Sequence, residues 1–265
     1  MQPKTALITG AAGAIGRAIA QGFAAEGINL AMFDNRGEVL NQFCEQLANQ
    51  HGQDRVLSCC VDVRNTREIE QGFDRVMETF GAVDILVNNA AVTGINTVDA
   101  ITDEEIDSII DVDLKGYIRC TRRAVTEMKK ARRGGSILMV SSKNGLEGAS
   151  EKCLYSAAKG GILTMARALA KELGPFDIRV NSICPDAVLE GSYIWREGGE
   201  YREGTCRRYG ITSEQIPEYY RQRCALKRTI TPEDVAAAAV FLASDKAQAM
   251  TGVILPVDGG VAFVR

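Results

Sequence analysis

The sequence predicts an α/β protein built on a doubly wound, seven-stranded parallel sheet with helices on both faces. Three observations lead there. Short runs rich in Val, Ile and Leu alternate with longer segments of helical period, glycines stand at the ends of those segments, and a glycine-rich turn joins the first strand to the first helix. The runs are apolar throughout rather than alternating, as strands buried on both sides of a sheet require.

The strands are expected at Thr5–Thr9, Ile28–Phe33, Arg55–Val61, Ile85–Asn88, Ser136–Ser141, Ile178–Ile183 and Val253–Val257. Between them helices are expected near Ile15–Glu26, Val39–Gln50, Thr66–Phe80, Glu104–Lys130, Tyr155–Leu173 and Pro232–Ser244, with Gly27, Gly81, Gly134 and Gly174 as stops. One stretch breaks the alternation. Residues 189–228 hold the only Trp, five of the seven Tyr and eight Lys/Arg in polar helical patterns without a strand, and read as an inserted lid. Without internal repeats or linkers, residues 1–265 are expected to form one domain.

Composition removes several chemistries. Lys+Arg 31 against Asp+Glu 34, with no dense basic stretch, argues against nucleic acid. No apolar run approaches the ~18 residues of a membrane span, and no signal peptide precedes the strand at Thr5, so no membrane partner and a cytoplasmic location are expected. The single histidine, His51, lies in a polar stretch that reads as a surface helix end, which removes Ser-His-Asp hydrolysis and histidine metal sites. No metal is expected. The eight cysteines lack C-x-x-C spacing and are expected to be buried free thiols.

The remaining signals cluster at the carboxyl ends of the strands. Gly10, Gly13, Ala14, Ile15 and Gly16 form a turn whose backbone can approach a pyrophosphate at a helix N-terminus, the Rossmann arrangement. Asp34 ends the second strand 18 residues past Gly16, where a carboxylate accepts from a ribose diol and repels a 2′-phosphate, favouring NAD over NADP. Arg36, two residues on, partly offsets that preference. Asp62 and Val63 are placed to meet an adenine. Tyr155 and Lys159 stand at i and i+4 on one helical face, so the ammonium can stabilise a phenolate and make Tyr155 a usable acid/base.

Taken jointly, TGAAGAIG at Thr9–Gly16, Asp62-Val63, Asn88-Asn89-Ala90, Ser142, Tyr155/Lys159, Arg179-Val180-Asn181, Cys184-Pro185 and Val257-Asp258-Gly259-Gly260 give the chain its family likeness. Over essentially its whole length it resembles the short-chain dehydrogenase/reductase family. The resemblance implies that Tyr155 exchanges a proton with the substrate oxygen, Ser142 orients that oxygen, and Lys159 holds the nicotinamide ribose. It also implies cofactor contacts from Asn89, Ala90, Ala91, Pro185 and Val188, and a homotetramer. Substrate contacts are expected from Ser142, Asn144, Glu147, Tyr155, Asp186, Glu190, Trp195 and Arg196.

Four positions depart from the family pattern. Ala14 replaces a glycine beside the pyrophosphate, Ala91 replaces the glycine after Asn88-Asn89-Ala90, and Glu190 replaces a threonine that commonly helps hold the carboxamide. Asp113 replaces the active-site asparagine, adding a negative charge near Lys159 that would weaken its effect on Tyr155. The stretch from Pro185 to Trp195 resembles the dehydrogenase part of bifunctional rhamnulose-phosphate aldolase/alcohol dehydrogenases, and Tyr209 to Arg228 resembles sorbitol-6-phosphate dehydrogenases. Both imply a sugar, deoxy sugar, polyol or small hydroxy aldehyde as substrate. An aromatic pair, Tyr193 and Trp195, could stack on a sugar, and Arg196, Arg202, Arg207, Arg208, Lys227 and Arg228 are candidates to clamp an anionic group, against the interleaved acids of a solvated helix. The competing readings are an NADP-type ketoacyl or steroid reductase and a catalytically silent NAD-binding scaffold.

Overall fold

The computed structural model describes residues 3–262. Seven strands, β1 (Thr5–Thr9), β2 (Asn29–Asp34), β3 (Val56–Cys60), β4 (Ile85–Asn88), β5 (Gly135–Val140), β6 (Ile178–Pro185) and β7 (Ile254–Val257), form one sheet in the order β3-β2-β1-β4-β5-β6-β7. Every pairing is parallel. The order reverses direction between β1 and β4, which opens a crevice at the carboxyl ends of those strands.

Alternate residues of each strand feed opposite faces. Ala6, Ile8, Leu30, Met32, Val87 and Leu138 pack under α1 (Ala14–Ala25), α2 (Gly37–His51) and α10 (Pro232–Ala243). Leu7, Ala31, Phe33, Leu86, Ile137 and Met139 pack under α3 (Thr66–Phe80), α5 (Tyr117–Ala131) and α7 (Cys153–Leu173). Close approach is enforced by small residues: a Cβ on Gly72 of α3 would stand 2.6 Å from the Phe33 ring, which itself meets Phe73 edge-on at 5.8 Å.

The expected strands all form, β1 and β4 with the expected ends and the others with ends shifted by at most two residues. The expected helix Glu104–Lys130 does not run through. It divides into α4 (Asp103–Ile110) and α5, joined by a wide π-type turn at Asp111–Gly116. Gly116 lets that turn seat against β3's exit, since a Cβ there would meet the Val63 side chain at 2.9 Å. Gly81 ends α3 in the left-handed region as expected; α7 also ends at Leu173 with Gly174 as its cap, but Gly174 stays right-handed and the chain tightens into Gly174–Phe176 before Asp177 turns it at φ +57°. His51 sits in the last turn of α2, partly buried rather than fully on the surface. Five cysteines are buried, whereas Cys60 and Cys153 are exposed and Cys206 is intermediate, which corrects the expectation of uniform burial.

The insertion is closed at its base by an isolated parallel bridge between Val188 and Ile230. It carries α8 (Glu200–Tyr209) and α9 (Ile216–Arg223) and has its own small core of Trp195, Ile216 and Tyr220. Among the described residues no helix is long and apolar enough to cross a membrane, and no group of three His, Cys, Asp or Glu could hold a metal ion. Residues 261–265 after Gly260 read as a tail apolar enough to want burial; Ala262 is buried and Val261 half-buried, and residues 263–265 lie outside the described residues.

Candidate active site

A cavity of about 700 Å³ occupies the crevice and reaches under the lid. Its first end is the glycine turn. Gly10 leaves β1 at φ +64°, where a Cβ would stand 2.7 Å from the Ala90 backbone, and a Cβ on Gly16 would lie 2.4 Å from the Gly10 carbonyl oxygen. Glycine is therefore needed at both positions. The Asn89 side-chain amide donates to the carbonyl oxygens of Thr9 (3.0 Å) and Gly10 (3.1 Å), and the Thr9 hydroxyl accepts from the Asn89 and Ala90 N–H groups. Asn89 thus braces the turn against β4. Gly13 begins α1 with no side-chain cap, so the positive end of that helix faces the cavity through Gly13, Ala14, Ile15 and Gly16.

Asp34 lines the cavity at the end of β2 and is almost fully buried. One carboxylate oxygen accepts from Ala12 N–H (3.0 Å), the other from Arg36 N–H (3.0 Å) and Nε (3.1 Å). Arg36 is therefore committed to Asp34. Asp62 and Val63 also line the cavity, and the Arg64 guanidinium bonded to Asp62 holds its carboxyl below the usual range.

The central part is set by β5 and α7. Ser142 follows β5 and caps the short α6 (Lys143–Glu147), accepting from Asn144 N–H (3.1 Å). Ser141 donates to the Lys159 carbonyl oxygen (2.8 Å), which ties α7 to the strand. Tyr155 and Lys159, one turn apart on α7, both line the cavity with Ser142. Lys159 is 1% exposed; its Nζ donates to the Val140 carbonyl oxygen and the Tyr117 hydroxyl, each at 3.1 Å, and lies 3.5 Å from an Asp113 oxygen. The π-type turn aims Asp113 inward, where its other oxygen accepts from Val92 N–H at 2.8 Å. Burial pushes the Asp113 carboxyl up to about 6 despite the ammonium beside it. Burial likewise pushes the Tyr155 phenol up to about 12, with Lys159 pulling it down, Asp113 pushing it up and the Ser142 hydroxyl pulling it down. In this state burial outweighs the pull of Lys159 on the phenol.

A sequence profile described as short chain dehydrogenase matches residues 4–193. The chain belongs to the short-chain dehydrogenase family. A second profile, described as enoyl-(acyl carrier protein) reductase, matches residues 204–262 of this dehydrogenase. An uncharacterized oxidoreductase of Bacillus subtilis (strain 168) is 40% identical over 264 residues, covering 99% of this chain but 38% of that relative. The chain thus spans well under half of the length of that protein. The "Probable galactose dehydrogenase" of Rhizobium meliloti (strain 1021) is 33% identical over 262 residues, 98% of this chain and 96% of its own. Among solved structures, L-sorbose reductase from Gluconobacter frateurii, complexed with NADPH and L-sorbose, superposes with a TM-score of 0.89 at 29% identity, covering 100% of this chain and 98% of that one. The 3-ketoacyl-(acyl-carrier-protein) reductase from Brucella melitensis, complexed with NADH, gives 0.85 at 27% identity, with 99% of each chain covered. The chain is therefore an oxidoreductase on a fold that holds a nicotinamide cofactor in both of those structures.

At the far end of this dehydrogenase's cavity several expectations change. Pro185, Asp186, Val188, Ala90, Ala91, Asn144, Trp195 and Arg196 line it, but Glu147 and Glu190 do not, and Asp113 stands behind Lys159 rather than on the wall. Trp195 is 6% exposed because it forms the lid core, edge-on to Tyr201 at 4.9 Å and Tyr220 at 5.5 Å, so most of its ring is spent on packing. Tyr193 is exposed and stacks with Arg196. Of the six cations expected to clamp an anion, Arg196 and Arg208 reach the cavity. Arg202 is bonded to the Trp195 carbonyl oxygen and Ser213, Lys227 to the Gln222 carbonyl oxygen, and Arg228 to Asp234, while Arg207 does not line the wall. Sequence reasoning missed Lys143, Lys152, Arg223 and Tyr201, which do line it. Lys143 and Lys152 flank recognised motifs, which was the available signal.

Proposed function

We propose that the protein moves a hydride between the CH–OH carbon of a sugar, deoxy sugar, polyol or small hydroxy aldehyde and NAD. The observation that carries this reading is one continuous cavity with the glycine turn and Asp34 at one end and Ser142, Tyr155 and Lys159 at its centre. A dinucleotide fits the first end: two glycines there leave no room for a Cβ, and an uncapped helix N-terminus faces the space. Gly10, Gly13, Ala14, Ile15 and Gly16 would hold its pyrophosphate, Asp34 its adenosine ribose, Asp62 and Val63 its adenine, and Ala90, Ala91, Pro185 and Val188 its nicotinamide half. Asn89 acts by bracing the turn. When bound, the nicotinamide supplies the hydride acceptor.

Within this reading, Tyr155 takes the hydroxyl proton of an alcohol as oxidation proceeds, and returns it in reduction. Ser142 hydrogen-bonds the same substrate oxygen. Lys159 favours the phenolate, and Asp113 moderates that effect. The Tyr155 phenol near 12 makes oxidation climb with pH on the neutral to alkaline side. Asp34, already holding Arg36, supports NAD over NADP, because a 2′-phosphate would face a buried carboxylate whose guanidinium partner is taken. The sugar and polyol classes are supported by the galactose and sorbose names among the relatives, and by the charged and hydrogen-bonding side chains that line the lid end of the cavity. We read the chain as one dehydrogenase domain that assembles as a tetramer.

The test is reduced-nicotinamide formation with NAD and with NADP over a panel of sugars, deoxy sugars, polyols, their phosphates and sulfonates, and hydroxy aldehydes. The reading expects turnover on one chemical class and a preference for NAD that Asp34→Ala narrows. Preference for NADP in the unaltered protein would transfer the assignment to the reductase class. Tight NAD binding without turnover would favour the silent scaffold.

A further inference from the structure

The lid end of the cavity carries more positive charge than its surroundings neutralise. Lys143 from α6, Lys152 from the turn before α7, Arg208 from α8 and Arg223 from α9 all line it, and the two lysines are 6% and 7% exposed. Some acids stand near. Glu147 reaches Lys143 at 3.4 Å and Glu151 lies 3.9 Å from Arg208, while Asp186 acts on Lys143, Lys152 and Arg223 and Glu200 is exposed at the rim. Asp186 favours the charge of both Lys152 and Arg223, yet neither of these two cations has an ion pair among the described residues. Among the described residues Arg223 makes no hydrogen bond or ion pair, its guanidinium lying over the Tyr220 and Tyr219 rings, and the Lys152 ammonium has the Tyr201 hydroxyl as its one hydrogen-bond partner.

An unpaired cation this deeply buried is costly. Lys152 shows the cost: burial first, then Arg208, Lys143 and Arg223, bring its pKa down to about 7, with Asp186 pulling the other way. A neutral sugar would leave these groups as they are. An oxyanion would give the Arg223 fork and the Lys152 ammonium the acceptors they lack and restore the lysine's charge.

We propose that Lys143, Lys152, Arg208 and Arg223 form a subsite for an oxyanion carried by the substrate, a phosphate, sulfonate or carboxylate group on the sugar or polyol. This rests on the reading of the cavity as a dehydrogenase site. Lys152 and Arg223 make the main contacts, and Arg208 and Lys143 raise the local potential. The subsite is built from α6, the turn before α7, α8 and α9, so it joins the lid helices to the catalytic helix.

The experiment is calorimetric titration of the NAD-saturated protein, whose own anion site at the glycine turn is then filled, with inorganic phosphate, methanesulfonate and acetate. The expected result is saturable binding of at least one of the three, weakened about tenfold or more by Arg223→Gln and by Lys152→Met, with NAD affinity unchanged. The strongest of the three identifies the group. Just above neutral pH, binding should take up protons, seen by repeating the titration in buffers of different ionisation enthalpy, and Lys152→Met should abolish that uptake. Retained NAD affinity shows that a variant is folded; Arg223→Lys, which keeps the charge, should recover part of the binding. Absence of saturable binding in the NAD-saturated protein, or binding that survives both substitutions, overturns the subsite. Failure to bind NAD at all instead overturns the dehydrogenase reading.

Discussion

Two lysine–tyrosine pairs face the same cavity, and they are built for different work. Lys159 and Tyr155 share a helix, one turn apart, and the ammonium has a carboxylate, a carbonyl and a hydroxyl around it. Lys152 and Tyr201 meet across 49 residues of sequence, and the ammonium has a phenol, three further cations and one carboxylate, Asp186, acting on it. Both lysines are buried. What differs is the balance of charge: one carboxylate beside Lys159, against one carboxylate and three cations acting on Lys152. Lys159, paired with Asp113, acts on its tyrosine, whereas burial together with Arg208, Lys143 and Arg223 drives Lys152 towards neutrality until an anion arrives.

The largest break between the pairs should come from removing their hydroxyls. Tyr155→Phe should lower turnover by about 10²–10⁴ with NAD affinity kept. Tyr201→Phe should leave turnover within a few fold, measured on the same substrate by reduced-nicotinamide absorbance. Comparable losses would mean that the second pair also handles protons.

Next in size is stability. Burial and its neighbouring cations bring Lys152 down to about 7 in the folded protein from the ordinary 10.5, so the unfolded chain binds more protons between those values and stability rises with pH across that window. The penalty of the buried charge is full below about pH 7. Lys152→Met should therefore stabilise the NAD-free protein by roughly 1–4 kcal/mol at and below neutral pH, with the gain shrinking as pH rises towards 10.5, checked by urea unfolding at several pH values. A loss of stability at every pH would contradict an uncompensated cation at that position.

The smallest and sharpest effect concerns Asp113. Its carboxyl titrates near 6, so at neutral pH and above it is ionised and opposes the Tyr155 phenolate. Asp113→Asn removes that charge and should move the rising limb of the oxidation pH profile to lower pH by about one unit, the equivalent of about 1.4 kcal/mol. An unmoved limb would mean that Asp113 and Tyr155 are not coupled.

The two pairs also differ in how far each could be read from the chain. Tyr155-x-x-x-Lys159 is a local pattern at fixed helical spacing, and Gly10, Gly16 and Asp34 are fixed by steric and charge demands that act within one strand-turn-helix unit. The strands followed from apolar runs because both faces of the sheet are covered. Lys152–Tyr201 has no such period, since the lid must first fold back over α7. Within the lid, amphipathic patterning could not tell Trp195, buried in its small core, from Tyr193, exposed on its rim, because both are aromatic in the same short segment. The break in the Glu104–Lys130 helix was hidden for another reason: Asp111–Gly116 keeps helical dihedrals at its ends, and one extra residue per turn leaves no mark in the hydrophobic pattern. That turn is what aims Asp113 at Lys159.

In the proposed reading Tyr155 performs the proton transfer while the charge around Lys152 selects what enters. Steady-state kinetics of the unaltered protein, Tyr155→Phe and Arg223→Gln on the best substrate of the panel separate the two roles. Tyr155→Phe should collapse kcat with NAD affinity unchanged, and Arg223→Gln should raise KM with kcat largely kept. Wild-type kcat in Tyr155→Phe would contradict that reading.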